Sequence, residues 1–427
     1  MKSNFLKSLW KILLFLPILL YFGKRSYLAY DEGFYALQAR WMIENNNWLI
    51  PTWWEYPVLD RTIGIQFLIA KSQQIFGETS FNAHLPSTIA SGLILIITIK
   101  LHQELLEKKD SIYSALILAT TYLWFNFAHL ATQDMIFAFL VNLGIYALVK
   151  VNFNQNNNSL NNLYLIIFGG WIGLAFMMKT FLTAVPLIAL APYLYQKIDI
   201  MKKKAFWAGL LLGFIPFILW VFLVNQVIEK NILLYLFDKF NNLSNKNTFT
   251  NPIYYYLWNI PLNFMPWSIY SIFGFILNFK NKKIHNYFLF YFPLFFIILI
   301  SLFSSKTPYY ALPLTPIFSI NAYIGIKELL KNKNTNQLFY KFLSKVIPII
   351  LFLIVIVYLS NFRNIIKFNL KEEGYLISGI CIFGIIYYLI PNIKKSRYIF
   401  LSIILGPYLL TTSIIQSGLL TDRSKSI

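Results

Sequence analysis

The chain has 427 residues, of which 57% are hydrophobic, 19% aromatic and only 13% charged, with 37 Lys and Arg against 17 Asp and Glu. A soluble domain carries roughly 25% charged residues, and the mean hydropathy here is +0.57, so a soluble enzyme, a disordered tail and a disulfide scaffold are excluded. The single cysteine, Cys381, lies in an apolar run and supports neither a disulfide nor a thiolate metal cage.

Apolar blocks of about 16 to 24 residues recur along the chain, the pattern of an all-α polytopic membrane protein. In chain order they predict thirteen spans, at 8–28, 83–100, 112–128, 135–150, 163–178, 180–196, 205–226, 253–278, 287–304, 308–326, 346–360, 375–391 and 398–416. The first, preceded by Lys2 and Lys7, has no small-residue cleavage site and reads as an uncleaved span. A cytoplasmic N-terminus then gives one set of loops 22 basic and 5 acidic residues, and the opposite set 15 basic and 12 acidic. The basic set includes Lys100, Lys108, Lys109, Lys202 to Lys204, Lys280, Lys282, Lys283, the 327–345 stretch, Lys394, Lys395 and Arg397. The asymmetry obeys the positive-inside rule. It assigns the net charge of +20 to topology and leaves no reason to invoke nucleic acid.

The whole of 1–427 reads as one transmembrane domain, with no soluble C-terminal domain and no internal repeat. Two external segments exceed a simple connection. Residues 23–82 hold Asp31, Glu32, Glu44, Glu55, Asp60 and Arg61, with helix-like pieces near 33–44 and 64–77 that suit the membrane interface. Residues 227–252 form the second loop, rich in asparagine. Asparagine tracts such as 154–162 read as compositional bias.

Ion-coupled transporters place ionisable groups near the bilayer midplane, and these spans hold almost none. The notable ones stand at external helix ends: Asp31, Glu32, Asp60, Arg61, Asp134, Lys179 and Lys306. Taken singly, Asp31 or Asp134 is explained equally well as a helix N-cap, Lys179 and Lys306 as snorkelling anchors, and the Asp60–Arg61 pair as an exposed contact worth little. His84 reads as a structural interface residue; His102, His129 and His285 share no side or spacing and predict no metal site. Taken together, acids and bases at one depth suit chemistry on a lipid phosphate.

The local strings sharpen this. Tyr30-Asp31-Glu32-Gly33-Phe34-Tyr35-Ala36, Trp48-Leu49-Ile50-Pro51, Leu59-Asp60-Arg61, Phe76-Gly77 and Leu85-Pro86-Ser87 resemble the first external loop of the ArnT-like, protein-mannosyltransferase-related membrane glycosyltransferases of the GT-C class. Ala131-Thr132-Gln133-Asp134-Met135, Met178-Lys179 ahead of Pro186, and Ser304-Ser305-Lys306-Thr307-Pro308-Tyr309-Tyr310 follow in the same order. The resemblance implies a GT-C-like fold. It also implies an enzyme passing a hexose or pentose, with inversion, from a polyprenyl-phosphate donor to a lipid, glycan or protein acceptor on the non-cytoplasmic face of a bacterial inner membrane. It assigns catalytic roles to Asp31, Glu32 and Asp134, and substrate binding to Asp60, Arg61, Lys179, Lys306, Tyr309 and Tyr310. The resemblance leaves a divalent metal as the one candidate cofactor and points to no other. Some relatives carry a metal-binding histidine before span eight, where Asn251-Pro252 stands here, and Arg61-Thr62-Ile63 replaces the usual Lys-Pro-Pro. The alternatives are a lipid-linked-sugar flippase and a polysaccharide polymerase or ligase.

Overall fold

The computed structural model describes residues 12–20, 31–54, 56–153, 158–228, 231–245, 250–279, 285–331, 337–363, 369–393 and 395–419. Tyr30, Glu55, Lys2, Lys7, Lys280, Lys282, Lys283, Lys394 and parts of the first predicted span and of the 154–162 tract lie outside them. The first elements are α1 (12–19), α2 (Asp31–Glu44), the antiparallel pair β1 (Thr52–Trp53) and β2 (Tyr56–Pro57), α3 (Gly64–Phe76), α4 (Ser80–Leu105), α5 (Ser111–Ala119) and α6 (Tyr122–Ala128). Then come α7 (Gln133–Phe153), α8 (Asn158–Lys179), α9 (Ala184–Ala189), α10 (Ala191–Gln196), α11 (Lys204–Asn225), α12 (Ile232–Asn245), α13 (Tyr255–Asn263) and α14 (Ser268–Phe279). The rest are α15 (Phe292–Leu302), α16 (Thr315–Lys331), α17 (Gln337–Lys341), α18 (Ile347–Val357), α19 (Leu370–Leu389) and α20 (Ser396–Gln416).

The chain is a nearly all-helical membrane protein, but its spans are less uniform than thirteen blocks suggest. Among the described residues, seven helices are long and apolar enough to cross a membrane, or eight if a bent pair is one span. The difference comes from breaks inside apolar runs. The 112–128 block is interrupted at Thr120–Thr121 between α5 and α6. The 253–278 block is α13 and α14, which meet at 119°. The 308–326 block begins as a 3-10 turn, Pro308–Leu314, before α16, because Pro308 and Pro313 cannot donate to a continuous ladder.

The blocks at 163–178 and 180–196 were expected to be separate spans. Helical hydrogen bonding runs without a gap from Ser159 to Ala189, yet Phe168 and Ile172 line the same 450 Å³ cavity as Leu187, Ala191 and Leu194. A straight helix rises 1.5 Å per residue and would hold Phe168 and Leu194 about 39 Å apart. The chain therefore folds back after α8, with Thr180 at φ +45° in the turn.

Two devices hold the bundle together. The α8 and α11 backbones touch through Gly169 and Gly173 on one side and Gly209 and Gly213 on the other, the small-residue spacing that lets membrane helices approach closely. Buried amides join other helices: Asn142 Nδ2 donates to the Pro313 carbonyl at 3.0 Å, Asn278 to Asn321 at 2.8 Å, and Asn321 to the Leu289 carbonyl at 2.9 Å. In lipid, such bonds replace the hydrophobic drive that apolar side chains no longer supply.

Helices α2 and α3 occupy the segments read as 33–44 and 64–77. Glu32, Tyr35, Ala36, Ala39 and Met42 bury one face of α2, while Arg40 and Glu44 pair on the other at 2.7 Å. Gln66 Nε2 donates to Gln38 Oε1 at 2.9 Å, tying α3 to α2. The loop between them is fixed from outside by Trp220 of α11, whose indole donates to the Leu49 carbonyl at 2.8 Å.

Candidate active site

Asp31 opens α2, Asp134 lies in the first turn of α7 and Lys179 ends α8. The acid positions suit helix N-termini and the lysine suits a C-terminus, where the macrodipole favours each charge. The packing of α8 along α7 presents Lys179 to the start of α7, and its ammonium makes an ion pair with Asp134 Oδ1. Both side chains are buried. The same ammonium stands 4.7 Å from the Tyr309 ring centre, 5.4 Å from Tyr310 and 5.5 Å from Phe137, within cation–π reach of all three rings.

A second cluster forms in the first loop. Arg61 reaches Asp60 twice, with Nε at 3.0 Å and Nη2 at 3.3 Å, and Nη1 donates to the Tyr35 hydroxyl at 3.2 Å. Its guanidinium stacks over Phe34 and Tyr35, 5.0 and 5.5 Å from the ring centres. Lys239 of α12 donates to Asp60 Oδ2 at 2.8 Å across 179 residues. Burial raises the Asp60 carboxyl, but bonds from Arg61 and Lys239 outweigh it and hold the group down at about 2.

Asp31 couples the two clusters. Desolvation, then the Asp134 charge, raise its carboxyl above the ordinary value; Arg61, Lys179 and Lys239 pull the other way without cancelling them. Lys239 was absent from the sequence-derived set. Its signal was faint: one lysine in an asparagine-rich loop, on a helix whose docking only the fold reveals.

Two predicted residues stand differently. Glu32 is 1% exposed, and its Oε1 accepts the Ala131 N–H at 2.7 Å and lies 2.6 Å from His84 Nε2, so its carboxylate is committed to the protein. Lys306 is buried and donates to the Asn251 carbonyl at 2.8 Å, beside the Thr250–Ser305 bridge. Asn251 Nδ2 returns a bond to the Lys306 carbonyl at 3.1 Å. Burial is the influence on its ammonium, and it does not join the charges around Asp31. Its segment reaches the cluster through Tyr309 and Tyr310 instead.

A divalent cation does not fit this donor set. Among the described residues no three His, Cys, Asp or Glu side chains converge, Asp134 is committed to Lys179, and Asp60 to Arg61 and Lys239.

The fold has a counterpart among solved structures. Residues 60–222 match the family described as dolichyl-phosphate-mannose-protein mannosyltransferase. The crystal structure of ArnT from Cupriavidus metallidurans bound to undecaprenyl phosphate superposes with a TM-score of 0.78 at 15% identity, covering 98% of this chain and 77% of that one. The fold is ArnT-like. Curated relatives agree: the undecaprenyl phosphate-alpha-4-amino-4-deoxy-L-arabinose arabinosyl transferase of Wigglesworthia glossinidia brevipalpis is 25% identical over 380 residues, 85% of this chain and 66% of that protein. The enzyme of the same name from Aeromonas hydrophila is 24% identical over 182 residues, 42% of this chain. That match spans about a third of the Aeromonas protein, 33% of its length.

Proposed function

We propose that this ArnT-like chain transfers a sugar, of the pentose class, from a polyprenyl-phosphate carrier to a lipid, glycan or protein acceptor at the outer face of a bacterial inner membrane. The observation that carries the reading is the meeting of Asp31 and Asp134 with Arg61, Lys179 and Lys239 at one end of an ArnT-like helical bundle. The pentose follows from the arabinosyl transferases among the relatives. The orientation follows from the positive-inside asymmetry, with the N-terminus cytoplasmic and thirteen apolar segments traversing or entering the bilayer.

A carrier phosphate is already a good leaving group, so the site needs cations where negative charge grows rather than a general acid. Arg61 and Lys179 supply them, held in place by aromatic faces and by Asp60 and Asp134. An acceptor hydroxyl must lose a proton as it attacks the anomeric carbon. Asp31 is the base, its raised carboxyl better matched to that proton than an ordinary aspartate. Asp134 fixes Lys179, and in-line attack inverts the sugar. Asp60 orients Arg61, Tyr309 and Tyr310 wall the lysine, and Lys306 braces their segment.

The test is transfer of labelled sugar by purified protein in detergent, where no two sides exist for a flippase to connect. Wild type is expected to transfer, and Asp31→Asn to lose roughly 10²–10⁴-fold while purifying normally. Activity of Asp31→Asn within about twofold of wild type removes Asp31 as the base.

A further inference from the structure

The mechanism leaves one pair of buried titratable groups without a role. Glu32 is 1% exposed and His84 2%, with Glu32 Oε1 2.6 Å from His84 Nε2. Across the ring, Nδ1 lies 2.5 Å from the Ser80 carbonyl oxygen. A carbonyl only accepts, so Nδ1 carries its proton and donates. Nε2, on the opposite side of the ring, faces the Glu32 carboxylate at ion-pair distance. The same Glu32 oxygen accepts the Ala131 N–H at 2.7 Å. One turn along α4, Ser87 Oγ donates to the Thr132 carbonyl at 2.8 Å.

These contacts join three distant pieces of chain. Glu32 is the residue after Asp31, Ala131 stands three before Asp134, and His84 and Ser87 belong to the first turns of α4. Asp31 and Asp134 have no direct bond holding them in register; the α4 terminus supplies the brace behind them. We infer that Glu32 and His84 form a positioning dyad that sets the separation of Asp31 from Asp134. The inference rests on the sugar-transfer reading. A displacement of about 1 Å in a reacting group costs up to ~10²-fold, so the dyad acts on turnover rather than on donor binding, which belongs to Arg61 and Lys179.

The experiment uses the full chain in detergent with the Glu32→Ala, His84→Ala and double variants, and a milder His84→Phe that keeps the ring volume but no donor toward Glu32. Expected are a kcat loss of about 10–100-fold with donor KM within about twofold, and a double variant no worse than the poorer single one, because the two act as a unit. Hydrogen exchange at the Ala131 amide should quicken in both alanine variants, a readout independent of activity. Unchanged Ala131 exchange, an unchanged kcat, a loss carried by KM, or additive losses each overturn the dyad. If the alanine variants do not accumulate, His84→Phe carries the kcat, KM and exchange measurements under the same criteria. A wild type that transfers no sugar while Ala131 exchange still responds rejects the functional reading and leaves the three-way brace standing.

Discussion

Asp31 is set by its neighbours more than by its own type. Because desolvation and Asp134 hold its carboxyl above the ordinary 3.8, the acid limb of kcat/KM is expected above that pH, with the rate falling as Asp31 takes up a proton. Asp60, held at about 2, stays ionised through that window and cannot produce the limb. Asp134→Asn removes a raising charge, so the limb should move to lower pH; a stationary limb in a pH–rate series would assign it to another group. The buried Lys179–Asp134 pair makes a second, separable prediction. Removing one partner of such a pair typically costs about 3–5 kcal/mol by stranding the other charge. Lys179→Gln should therefore lower the melting temperature, and adding Asp134→Asn should recover much of it without recovering transfer. Thermal unfolding and labelled-sugar transfer on the two variants separate the stabilising role from the chemical one.

At the scale of elements, the α8–α11 contact shows how sequence spacing becomes helix proximity. A Cβ on Gly213 would fall inside contact distance of the Gly170 backbone, whereas one on Gly170 would meet the Gly209 carbonyl at 3.4 Å, an ordinary separation. Backbone cannot yield as a flexible side chain can. Gly213→Ala is expected to cost about 1–3 kcal/mol through overpacking, and Gly170→Ala to stay within about 0.5 kcal/mol, as read by thermal unfolding in detergent. Equal effects would show that the two helices separate more easily than their packing implies. The reversals between apolar runs matter as much as the runs, since α8 packs antiparallel to α7 and so brings Lys179 at its end to Asp134 at the start of α7.

For the whole molecule, the Lys239–Asp60 contact ties the second loop to the first. Both must then lie on the same side of the membrane, which is the outer side under the proposed topology. With Cys381→Ser as background, Asn47→Cys is expected to react with an impermeant maleimide in intact cells, and Lys109→Cys only after lysis. The reverse pattern would put the charge cluster in the cytoplasm, away from any externally presented acceptor.

Composition and hydropathy alone determined that this is a helical membrane protein, because unbroken apolar blocks of this length can satisfy their backbone in lipid only as helices, barrel strands being shorter and alternating. The short strings around Asp31, Asp60–Arg61, Asp134 and Lys179 also exposed most of the charge cluster and its resemblance to ArnT-like enzymes, since charges at helix ends in so apolar a chain stand out. Which charges meet was not legible. Lys239 looked like any lysine in a polar loop, Glu32 looked like a partner for Asp31 in the chemistry, and Lys306 looked equivalent to Lys179. Tertiary structure decided these, since an ion pair depends on where helices reverse and cross, and neighbours 45 or 179 residues apart in the chain leave no local pattern to read.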